Sequence, residues 1–599
     1  MRENPERMKF PQDFLFGTAN ADHQVEAHDP ACEDVWDAWE RSQRLTPRGR
    51  GTDFANRYAD DVQAAADMGC RLFRFSVSWA RVETEDGVFD EAALDHYRQV
   101  AACIRSHRMK VMLTLHHFVW PVWLERERGG MLGADFPDLF ARYADRVAEK
   151  TGDLVDYWIT FNEPSQLTFG YIKPWWRTRY YMPPGLPRGS DVDTEAEAVG
   201  RLVPNLFRAH ARARTAIRNQ HTDAKVGVNP LMTGFPTWLQ MLMDWGACHR
   251  GLGEALFKFT TSGPLVNERA GVDILIENHS GTEARVTAVP PGHGRLLAMV
   301  NEVVAGLRGE TSGQTPEPPP PVSLHELWEE PRSLPHGLGE GRNLGRLRKR
   351  GVLRVALRND APQDGLEIQL ARRIAQSLFG DERRIKIIRV APDKRFRLLR
   401  AKSRWLNWAW RFWGTTSLIA NANWWYLGMS GRLPGELCPP EAVGAQDFVG
   451  VDYYWGLPTR RLHQFRLLED AAHGRFLQAP VWPQGLYHSL RRMHRWFPGM
   501  EIFIVENGSV PVASGVKRAD YLKQHLRQVL KALAAGVPVK GYNFWSITSN
   551  REWGHPFDPN TDFGLHFVDL DKDPELKRHP TRDVACYREI IHSGEVPDG

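Results

Sequence analysis

The chain contains 599 residues, a length too great for one ordinary domain core, so we expect two units or one large barrel with insertions. The formal net charge is only +4, which gives no reason to expect nucleic acid as a partner of the whole chain. The 22 tryptophans suit stacking on sugar rings as well as packing in a core.

The cysteines and the N-terminal segment both bear on the compartment. The six cysteines are widely separated and form neither CxxC pairs nor a dense framework, which is typical of reduced, mostly buried thiols. The opening segment MRENPERMKFPQDF carries charges and a proline where a signal peptide needs an apolar core. We therefore expect a cytoplasmic protein.

The first part of the chain alternates strand-like apolar runs with helical stretches. Phe14–Asn20 is a compact apolar run followed by polar residues, among them Gln24, as expected of a strand whose loop enters a site. Arg71–Trp79 is the second run, and its Arg74 needs a carboxylate partner because an unpaired buried charge is costly. Lys110–His117 is the third run and ends in two histidines, which are either structural or part of a polar pocket.

The fourth and fifth strand-like runs continue this pattern. Trp158–Pro164, with the sequence WITFNEP, is an apolar run that leads into Asn162 and Glu163. Lys225–Asn229, KVGVN, is the predicted fifth strand. Helical stretches are expected here and later in the chain over Ala92–His107, Asp135–Thr151, Arg201–Gln220, Pro483–Trp496 and Ala519–Ala535.

A long segment then interrupts the alternation. Gly313–Pro321, GQTPEPPPP, is a polyproline-type linker that cannot pack as helix or sheet. Asn343–Arg358 and Arg383–Arg411 are crowded with arginine and make this the basic part of the molecule. Arg404–Met429 is rich in tryptophan but too polar for a membrane span, so we predict a buried or interfacial helix there.

Strand-like runs resume after the insertion and complete a set of eight. They are Asp447–Tyr454, Glu501–Gly508 and Val539–Trp545. Eight such runs, mostly alternating with helices, predict an α/β protein with a (β/α)₈ TIM barrel and a long insertion between strands 5 and 6. We expect the first part of the barrel over residues 1–270, the insertion over 271–404 and the second part of the barrel over 405–599.

Two glutamates occupy equivalent positions at strand exits. Glu506 ends the apolar run EIFIVENG, and Glu163 ends the run WITFNEP. One strand with a terminal glutamate is more often structural than catalytic. Two such strands are what a barrel enzyme needs to place an acid and a nucleophile on either side of one bond. The pair therefore predicts a catalytic site at the carboxyl ends of the strands.

Several of these segments carry longer motifs. In chain order they read FLFGTANADHQVEA, FRFSVSWARV, TLHHFVWPVWL, WITFNEP, DFVGVDYY, FIVENG and YNFWSITSNREW. Together they resemble the motifs of glycoside hydrolase family 1, the β-glucosidase family. The resemblance implies that Glu506 is the nucleophile and Glu163 the general acid and later the base. It also implies that Arg74 and the Tyr454 hydroxyl keep Glu506 ionised, and that Asn162 binds the sugar 2-hydroxyl.

The same resemblance implies a set of side chains that bind the sugar, and no cofactor or metal. The implied sugar-binding residues are Gln24, His117, Trp545, Glu552, Trp553 and Phe563. Trp545 would be the stacking platform, with Phe563 nearby. A buried carboxylate such as Glu552 selects strongly for hydroxyl groups because unpaired polar groups are costly to bury.

Three features depart from the family pattern. Val119 stands where an aspartate is usual, and Asp452 stands where an asparagine is usual, which adds a negative charge near the site if Asp452 ionises. The segment Tyr171–Gly185 interposes aromatic residues among cations, where the family usually passes quickly to a Pro-Gly turn. We expect this loop either to line the aglycone entrance or simply to pack on the barrel. Its aromatic residues include Trp175, Trp176, Tyr180 and Tyr181.

The insertion has a resemblance of its own. Leu344–Ser403, including GVLRVALRNDAP and GLEIQLARRIAQSLFG, resembles the opening β-α-β of a type 3 extracellular solute-binding protein. The sequence has no room for a second lobe before the barrel resumes. We therefore favour a structural or partner-docking appendage over independent ligand binding.

Three functions remain open from the sequence. The leading one is a retaining β-glycosidase that hydrolyses a β-glucoside or a related β-glycoside. The second is a transglycosidase that passes the glycosyl group to a sugar or lipid acceptor, because the tryptophan-rich entrance loop and the basic, tryptophan-rich insertion suit an anionic membrane surface. The third is a non-catalytic sugar-binding sensor or scaffold, which the two glutamates and Arg74 disfavour.

Overall fold

The computed structural model describes residues 9–172, 182–183, 185–186, 192–248, 274–278, 284–288, 350–358, 366–390, 421, 423–471 and 474–597. The chain divides into two compact units. One comprises Met1–Cys248 with Leu418–Gly599, and the other is His249–Ser417. The predicted linker Gly313–Pro321 and the loop aromatics Trp175, Trp176, Tyr180 and Tyr181 lie outside the described residues.

The first unit is built on one sheet of eight parallel strands. In chain order they are β1 (Leu15–Ala19), β2 (Leu72–Ser76), β3 (Lys110–His116), β4 (Tyr157–Asn162), β5 (Lys225–Asn229), β6 (Val449–Asp452), β7 (Ile502–Asn507) and β8 (Val539–Trp545). Each lies within the run that the sequence predicts or extends it by one residue. The apolar runs form strands because they are buried on both faces, as in parallel sheets generally.

The sheet closes into a barrel. Its hydrogen-bonded order is β6-β7-β8-β1-β2-β3-β4-β5. The two end strands meet, because the Asp447 N–H donates to the Val226 carbonyl at 2.8 Å and the Met232 N–H donates to the Asp452 carbonyl at 2.8 Å. The predicted TIM barrel is therefore confirmed, with the insertion falling between β5 and β6 along the chain.

Irregular pairing occurs near the carboxyl ends of several strands. The register shifts between Ile159 and Asn162 in β4, between Val451 and Asp452 in β6, and after Ile504 in β7. Such bulges re-aim side chains at the ends of barrel strands. Here they fall beside both predicted catalytic glutamates.

Helices alternate with the barrel strands. The helices of the first unit are Asp22–Val25, Val35–Gln43, Phe54–Asp67, Trp79–Val82, Glu91–Ser106, Val122–Arg128, Phe136–Thr151, Pro164–Ile172, Val192–Gln220, Thr237–Cys248, Trp424–Met429, Phe465–Ala471, Pro483–Trp496, Arg518–Ala534 and Arg582–Ser593. Val192–Gln220 begins nine residues before the predicted start at Arg201. Of the predicted helix Arg404–Met429, the described part is Trp424–Met429, which is buried. Among the helices that the structure describes, none is both long and apolar enough to cross a bilayer.

The barrel has two apolar layers. Alternate strand positions, including Leu72, Met112, Ile159 and Phe503, form one buried cluster. The intervening positions pack outward with the helices in a much larger cluster that includes Phe73. Because successive strand side chains point to opposite faces, each strand fills the barrel interior and holds its helix at once.

The second unit contains a four-stranded sheet and one described helix. The strands are Ile274–Asn278, Ala284–Ala288, Leu353–Arg358 and Ile385–Val390, and the helix is Leu366–Phe379. Leu353–Arg358 and Ile385–Val390 pair in parallel on either side of this helix in sequence, which matches the predicted β-α-β unit. Its likeness to a solute-binding protein, its boundaries at residues 271 and 404, and its contact with a membrane or partner stay predictions.

Asp447 lies at the closure of the barrel and generates a stability prediction. Its carboxylate accepts from Arg214 Nη2 at 2.6 Å and from the Val226 N–H in β5 at 2.9 Å. Because removal of this partly buried carboxylate leaves those donors unpaired, we expect D447A to lower the free energy of unfolding by about 2–3 kcal/mol. Urea unfolding followed by circular dichroism measures the change.

The matched control uses the same helix. Arg212 of Val192–Gln220 pairs with Asp138, whose side chain is 71% exposed. Exposed pairs contribute little, so D138A should leave the unfolding curve nearly unchanged. Equal effects of D447A and D138A would contradict the assigned role of Asp447.

Candidate active site

Two buried carboxylates meet at the carboxyl ends of β4 and β7. Glu163 directly follows β4, and Glu506 lies near the end of β7. One carboxylate oxygen of each lies within 4.8 Å of the other. Active sites of TIM barrels lie at this end of the strands. The fold therefore brings together the two glutamates that the sequence singles out, although 343 residues separate them along the chain (506 − 163).

Glu506 is held by two donors. The Arg74 guanidinium contacts Glu506 Oε1, and the Tyr454 hydroxyl donates to Glu506 Oε2 at 2.8 Å. Arg74 is completely buried in β2. A buried cation and a hydroxyl donor both favour the carboxylate anion over the neutral acid. Arg74 thus has the carboxylate partner that the sequence predicts.

Arg74 also organises three neighbours. It donates through Nε to Thr114 Oγ1 at 2.9 Å and through Nη2 to Asn162 Oδ1 at 2.7 Å. Asn162 Oδ1 also accepts from Asn229 Nδ2 at 2.6 Å. With its oxygen occupied twice, the Asn162 amide is fixed, and its Nδ2 lies 3.5 Å from His117 Nε2. The guanidinium thus holds Thr114 and Asn162 directly, and Asn229 is joined to it through Asn162.

His117 is a buried ring that lies between two donors. Its Nδ1 lies 3.3 Å from Arg74 Nη2 and its Nε2 lies 3.5 Å from Asn162 Nδ2, and each of these two neighbouring nitrogens can only donate. Burial and the charge of Arg74 hold the pKa of His117 well below its usual range. A neutral imidazole accepts through one nitrogen only, so His117 can accept from Arg74 or from Asn162 but not from both, and its other nitrogen carries the proton.

Glu163 has an environment opposite to that of Glu506. Burial, and then the negative charge of Glu506, hold the pKa of Glu163 well above its usual range, although Arg74 opposes the shift. Its backbone has φ 39°, in the left-handed region, and its N–H donates to the Asn229 carbonyl at 3.1 Å. This conformation costs on the order of 1 kcal/mol and recurs at active sites. A proton held on one carboxyl beside a second that is ionised is the arrangement needed for acid catalysis.

Asp452 places a third carboxyl in the same cluster. One of its oxygens lies within 4.8 Å of both Glu163 and Glu506, and Oδ2 accepts from the Asn229 amide. Burial, and then the charges of Glu506 and Glu163, hold the pKa of Asp452 well above its usual range. This shift favours the neutral acid form of Asp452, in which it matches an asparagine side chain in charge.

The predicted sugar-binding residues surround this cluster. Gln24 Nε2 donates to Glu552 Oε1 at 3.4 Å. Burial, and then the charge of Glu506, raises the pKa of Glu552 to about 8. Trp545 stacks on His117 with ring centroids 5.6 Å apart and planes inclined by 9°. An aromatic ring and several polar side chains converge here. These residues can therefore bind both the face and the hydroxyl groups of a sugar.

Phe563 and Val119 lie at two sides of the site. Phe563 contacts Tyr454 edge-on with centroids 5.9 Å apart, which places it beside the Glu506 partner. Val119 is buried in the main apolar cluster, so the usual aspartate has been replaced by a core side chain. The aromatic loop residues expected at the entrance are outside the described part of the chain.

Comparison with known proteins identifies the family. The model for glycosyl hydrolase family 1 matches residues 6–236 and 471–596. The chain belongs to glycosyl hydrolase family 1. It is thus a glycoside hydrolase and, within that class, a β-glycosidase.

The curated relatives and solved structures agree with this family. Beta-glucosidase A of Thermotoga maritima is 23% identical over 590 residues, covering 94% of this chain and 93% of that protein. Beta-glucosidase 16 of Arabidopsis thaliana is 33% identical over 237 residues, covering 37% of this chain and 45% of that protein. The fold matches the beta-glucosidase from Thermotoga maritima in complex with deoxynojirimycin, with a TM-score of 0.54 and 21% identity, covering 98% of this chain and 100% of that one.

Sequence reasoning missed two members of the family 1 site. Asn229 bridges Asn162 and Asp452, and Thr114 accepts from Arg74. Asn229 is the last residue of the predicted fifth strand, and a polar residue at a strand exit was the available signal. Thr114 lies two positions before His116 in β3, on the face of the strand that Arg74 reaches. The alternation of residues in β3 does not by itself show that this face contacts Arg74.

The carboxyl cluster favours proton chemistry over metal binding. Glu163, Asp452 and Glu506 are close enough to share a cation. However, Arg74 already neutralises Glu506, and burial favours the protonated forms of the other two. A hard cation needs ionised oxygen ligands, so these residues fit an acid–base pair better than a metal site.

Asp452 generates a prediction about pH. We expect D452N to keep kcat/KM within about threefold at neutral pH, because an amide replaces a neutral carboxyl at the same position. At high pH, an ionised Asp452 beside Glu163 raises the pKa of Glu163, and D452N removes that effect. The alkaline limb of the kcat/KM profile should therefore move to lower pH.

The control for this pH profile is E501Q. Glu501 precedes β7 at the opposite end of the barrel and pairs with Lys225. This variant removes one negative charge from the same unit without touching the site, so the alkaline limb should stay in place. A fall in kcat/KM well beyond threefold at neutral pH in D452N would contradict a neutral Asp452, and a move of the alkaline limb to higher pH would contradict its electrostatic effect on Glu163.

Proposed function

We propose that this family 1 enzyme hydrolyses β-glucosides with net retention of anomeric configuration. The observation that carries the proposal is the approach of Glu163 and Glu506 to within 4.8 Å in different environments: the pKa of Glu163 is held well above its usual range, and Glu506 contacts the Arg74 guanidinium. Retaining glycosidases need carboxyl groups roughly 5 Å apart, whereas inverting enzymes need a wider gap that admits water. The glycone is proposed from the beta-glucosidase names of the relatives.

The first step uses the two carboxyls in different roles. Glu506 attacks the anomeric carbon, and a carbon–oxygen bond to the enzyme forms as the glycosidic bond breaks. Glu163 gives its proton to the leaving oxygen, so the aglycone departs as a neutral alcohol. Arg74 and Tyr454 orient the attacking carboxylate.

The second step reuses Glu163 as a base. Once Glu506 is an ester, it no longer carries the negative charge that raised the pKa of Glu163. The Glu163 carboxylate can then take a proton from water, and the resulting hydroxide attacks the anomeric carbon and releases Glu506. Two inversions give net retention.

The remaining side chains hold the sugar during both steps. The Asn162 amide, fixed by Arg74 and Asn229, is placed to meet the sugar 2-hydroxyl. His117, Gln24 and Glu552 supply further donors and acceptors, and Trp545 supplies a flat face. Hydroxyl contacts that strengthen in the transition state lower the barrier as well as improving binding.

We prefer hydrolysis over transfer because of the contacts that the described residues make. The loop aromatics that motivate a transglycosidase lie outside the described residues, and within the described part of the chain no contact favours an acceptor other than water. A non-catalytic sensor does not account for a protonated Glu163 beside a paired Glu506. Product analysis with 4-nitrophenyl β-glucoside and a competing alcohol tests the choice, because a transfer product as the main product would contradict hydrolysis.

The nucleophile prediction concerns Glu506. We expect E506Q to reduce kcat on 4-nitrophenyl β-glucoside at least about 10⁴-fold, because an amide cannot form the glycosyl-enzyme. The circular dichroism spectrum should not change. Labelling of the wild type with a 2-deoxy-2-fluoro glucoside, followed by peptide mapping, should place the sugar on Glu506. A label on another residue would refute this mechanism.

The acid prediction concerns Glu163. We expect E163A to lower kcat/KM about 10²- to 10⁴-fold for a glucoside with a poor leaving group, because no acid protonates the departing oxygen. For 2,4-dinitrophenyl β-glucoside, which leaves without protonation, the first step should be nearly unaffected. Azide should then accelerate turnover by replacing water. Equal losses for both leaving groups would remove Glu163 from the acid role.

A further inference from the structure

A buried charged network lies beside the predicted sugar-binding residues. We call it the His23 network; its members are His23, Asp34, Asp37, Glu40 and Arg48. His23 Nδ1 lies 2.9 Å from Asp34 Oδ2, and Nε2 lies 3.4 Å from Glu40 Oε1. Carboxylates only accept, so both ring nitrogens donate, which only the imidazolium can do. Burial opposes the charge, but Asp34 raises the pKa of His23 to about 9.

The carboxylates of this network are themselves fixed. Asp34 caps the helix Val35–Gln43 by accepting from the backbone N–H groups of Trp36 and Asp37 at 2.8 and 3.0 Å. Arg48 donates to Asp37 Oδ2 at 2.7 Å, and its Nη1 lies 3.4 Å from Asp34 Oδ2. Each buried charge has a partner and little freedom to move. The imidazolium is therefore held in one orientation.

A series of near-parallel rings joins the network to the site. His23 stacks on Trp553 with centroids 5.6 Å apart and an angle of 12°. Trp553 stacks on His117 at 6.0 Å and 15°, and His117 stacks on Trp545 at 5.6 Å and 9°. Trp36, from the helix that Asp34 caps, contacts Trp553 at 4.5 Å. A cation over an indole face is attracted to it, which orients the indole.

His23 is also joined covalently to a hydroxyl-binding side chain. The next residue is Gln24, which donates to Glu552, and Glu552 precedes Trp553 in sequence. One end of the Gln24–Glu552 pair is thus attached to His23, and the other end is attached to the indole on which His23 stacks. A change in the His23 ring would therefore act on Trp553 through the stacking contact, and on Glu552 through its neighbour Trp553.

We propose that His23 is a positioning residue for sugar recognition: its imidazolium, clamped between Asp34 and Glu40, stacks on Trp553 and sets the placement of Gln24 and Glu552. It does not touch the reacting atoms. The inference rests on the proposed β-glucoside function. On this proposal, selectivity for particular sugar hydroxyl groups depends on the His23 network, which lies outside the catalytic cluster.

The test compares the enzyme variants over a set of substrates. We would measure kcat and KM of the wild type, H23F and E552Q for 4-nitrophenyl β-glucoside and its 3-deoxy, 4-deoxy and 6-deoxy analogues. H23F keeps a flat ring but has no charge and no donors. We expect it to lower kcat/KM for the parent glucoside about tenfold or more, mainly through KM, because contacts made in both the bound and transition states affect KM.

The decisive readout is the pattern across the analogues. H23F should show its smallest loss on the same analogue for which E552Q shows its smallest loss, since both variants weaken the same hydroxyl contacts. An equal loss on all four substrates would mean that His23 has only a structural role and would overturn the inference alone. Failure of the wild type to cleave any of the four would overturn the proposed function and this inference with it.

Two further variants separate positioning from folding. H210F replaces another fully buried histidine, which contacts Thr160 and the Ala445 carbonyl and no sugar-binding residue, so any loss should be equal across substrates. If H23F does not fold, E40Q retains the ring and removes one of its two carboxylate partners. A folded E40Q should show the E552Q pattern with losses of about three- to tenfold, and the absence of that pattern would overturn the proposal.

Discussion

The buried guanidinium of Arg74 is the interaction on which the site depends. Three carboxyls, Glu163, Asp452 and Glu506, approach one another within 4.8 Å, and Arg74 is the cation that contacts this cluster. One buried positive charge stabilises one negative charge well and three poorly. Glu506 is the carboxyl that contacts the guanidinium directly. The pKa values of the other two carboxyls are held well above their usual range, and the proposed division between nucleophile and acid follows from this charge balance.

The barrel strands hold in place the side chains that set this charge balance. Arg74 comes from β2, Asn162 from β4, Glu506 from β7, and Tyr454 follows β6, so four separate strands converge on one ion pair. The register shifts in β4, β6 and β7 turn side chains toward the axis at the point where regular alternation would send some of them outward. The left-handed backbone at Glu163 belongs to the same adjustment, with the cost offset by the packing around it.

The sequence predicts most of the fold because apolar runs and helical stretches alternate clearly outside the insertion. It also predicts that Arg74 needs a carboxylate, since a charge inside a strand must be paired. It does not predict that Asn229 joins Asn162 to Asp452, because that contact depends on the register between strands distant in sequence. The stack from His23 to Trp545 is likewise not predicted, since its rings come from three separate segments of the chain whose approach depends on the closed barrel. For the insertion, the high content of arginine and tryptophan does not identify a binding partner.

In the proposed mechanism, Asp452 would change the charge balance most during the glycosyl-enzyme stage. When Glu506 becomes an ester, Arg74 loses the anion that it contacts, and a new negative charge beside it is favoured. An asparagine at position 452 would leave Glu163 as the single carboxyl available to ionise in this cluster. With Asp452, Glu163 and Asp452 compete for that ionisation, and Asn229 favours the Asp452 anion by donating to its Oδ2. Activation of water by Glu163 therefore depends on which of the two carboxyls keeps its proton, so this one substitution acts on the second step more than on the first.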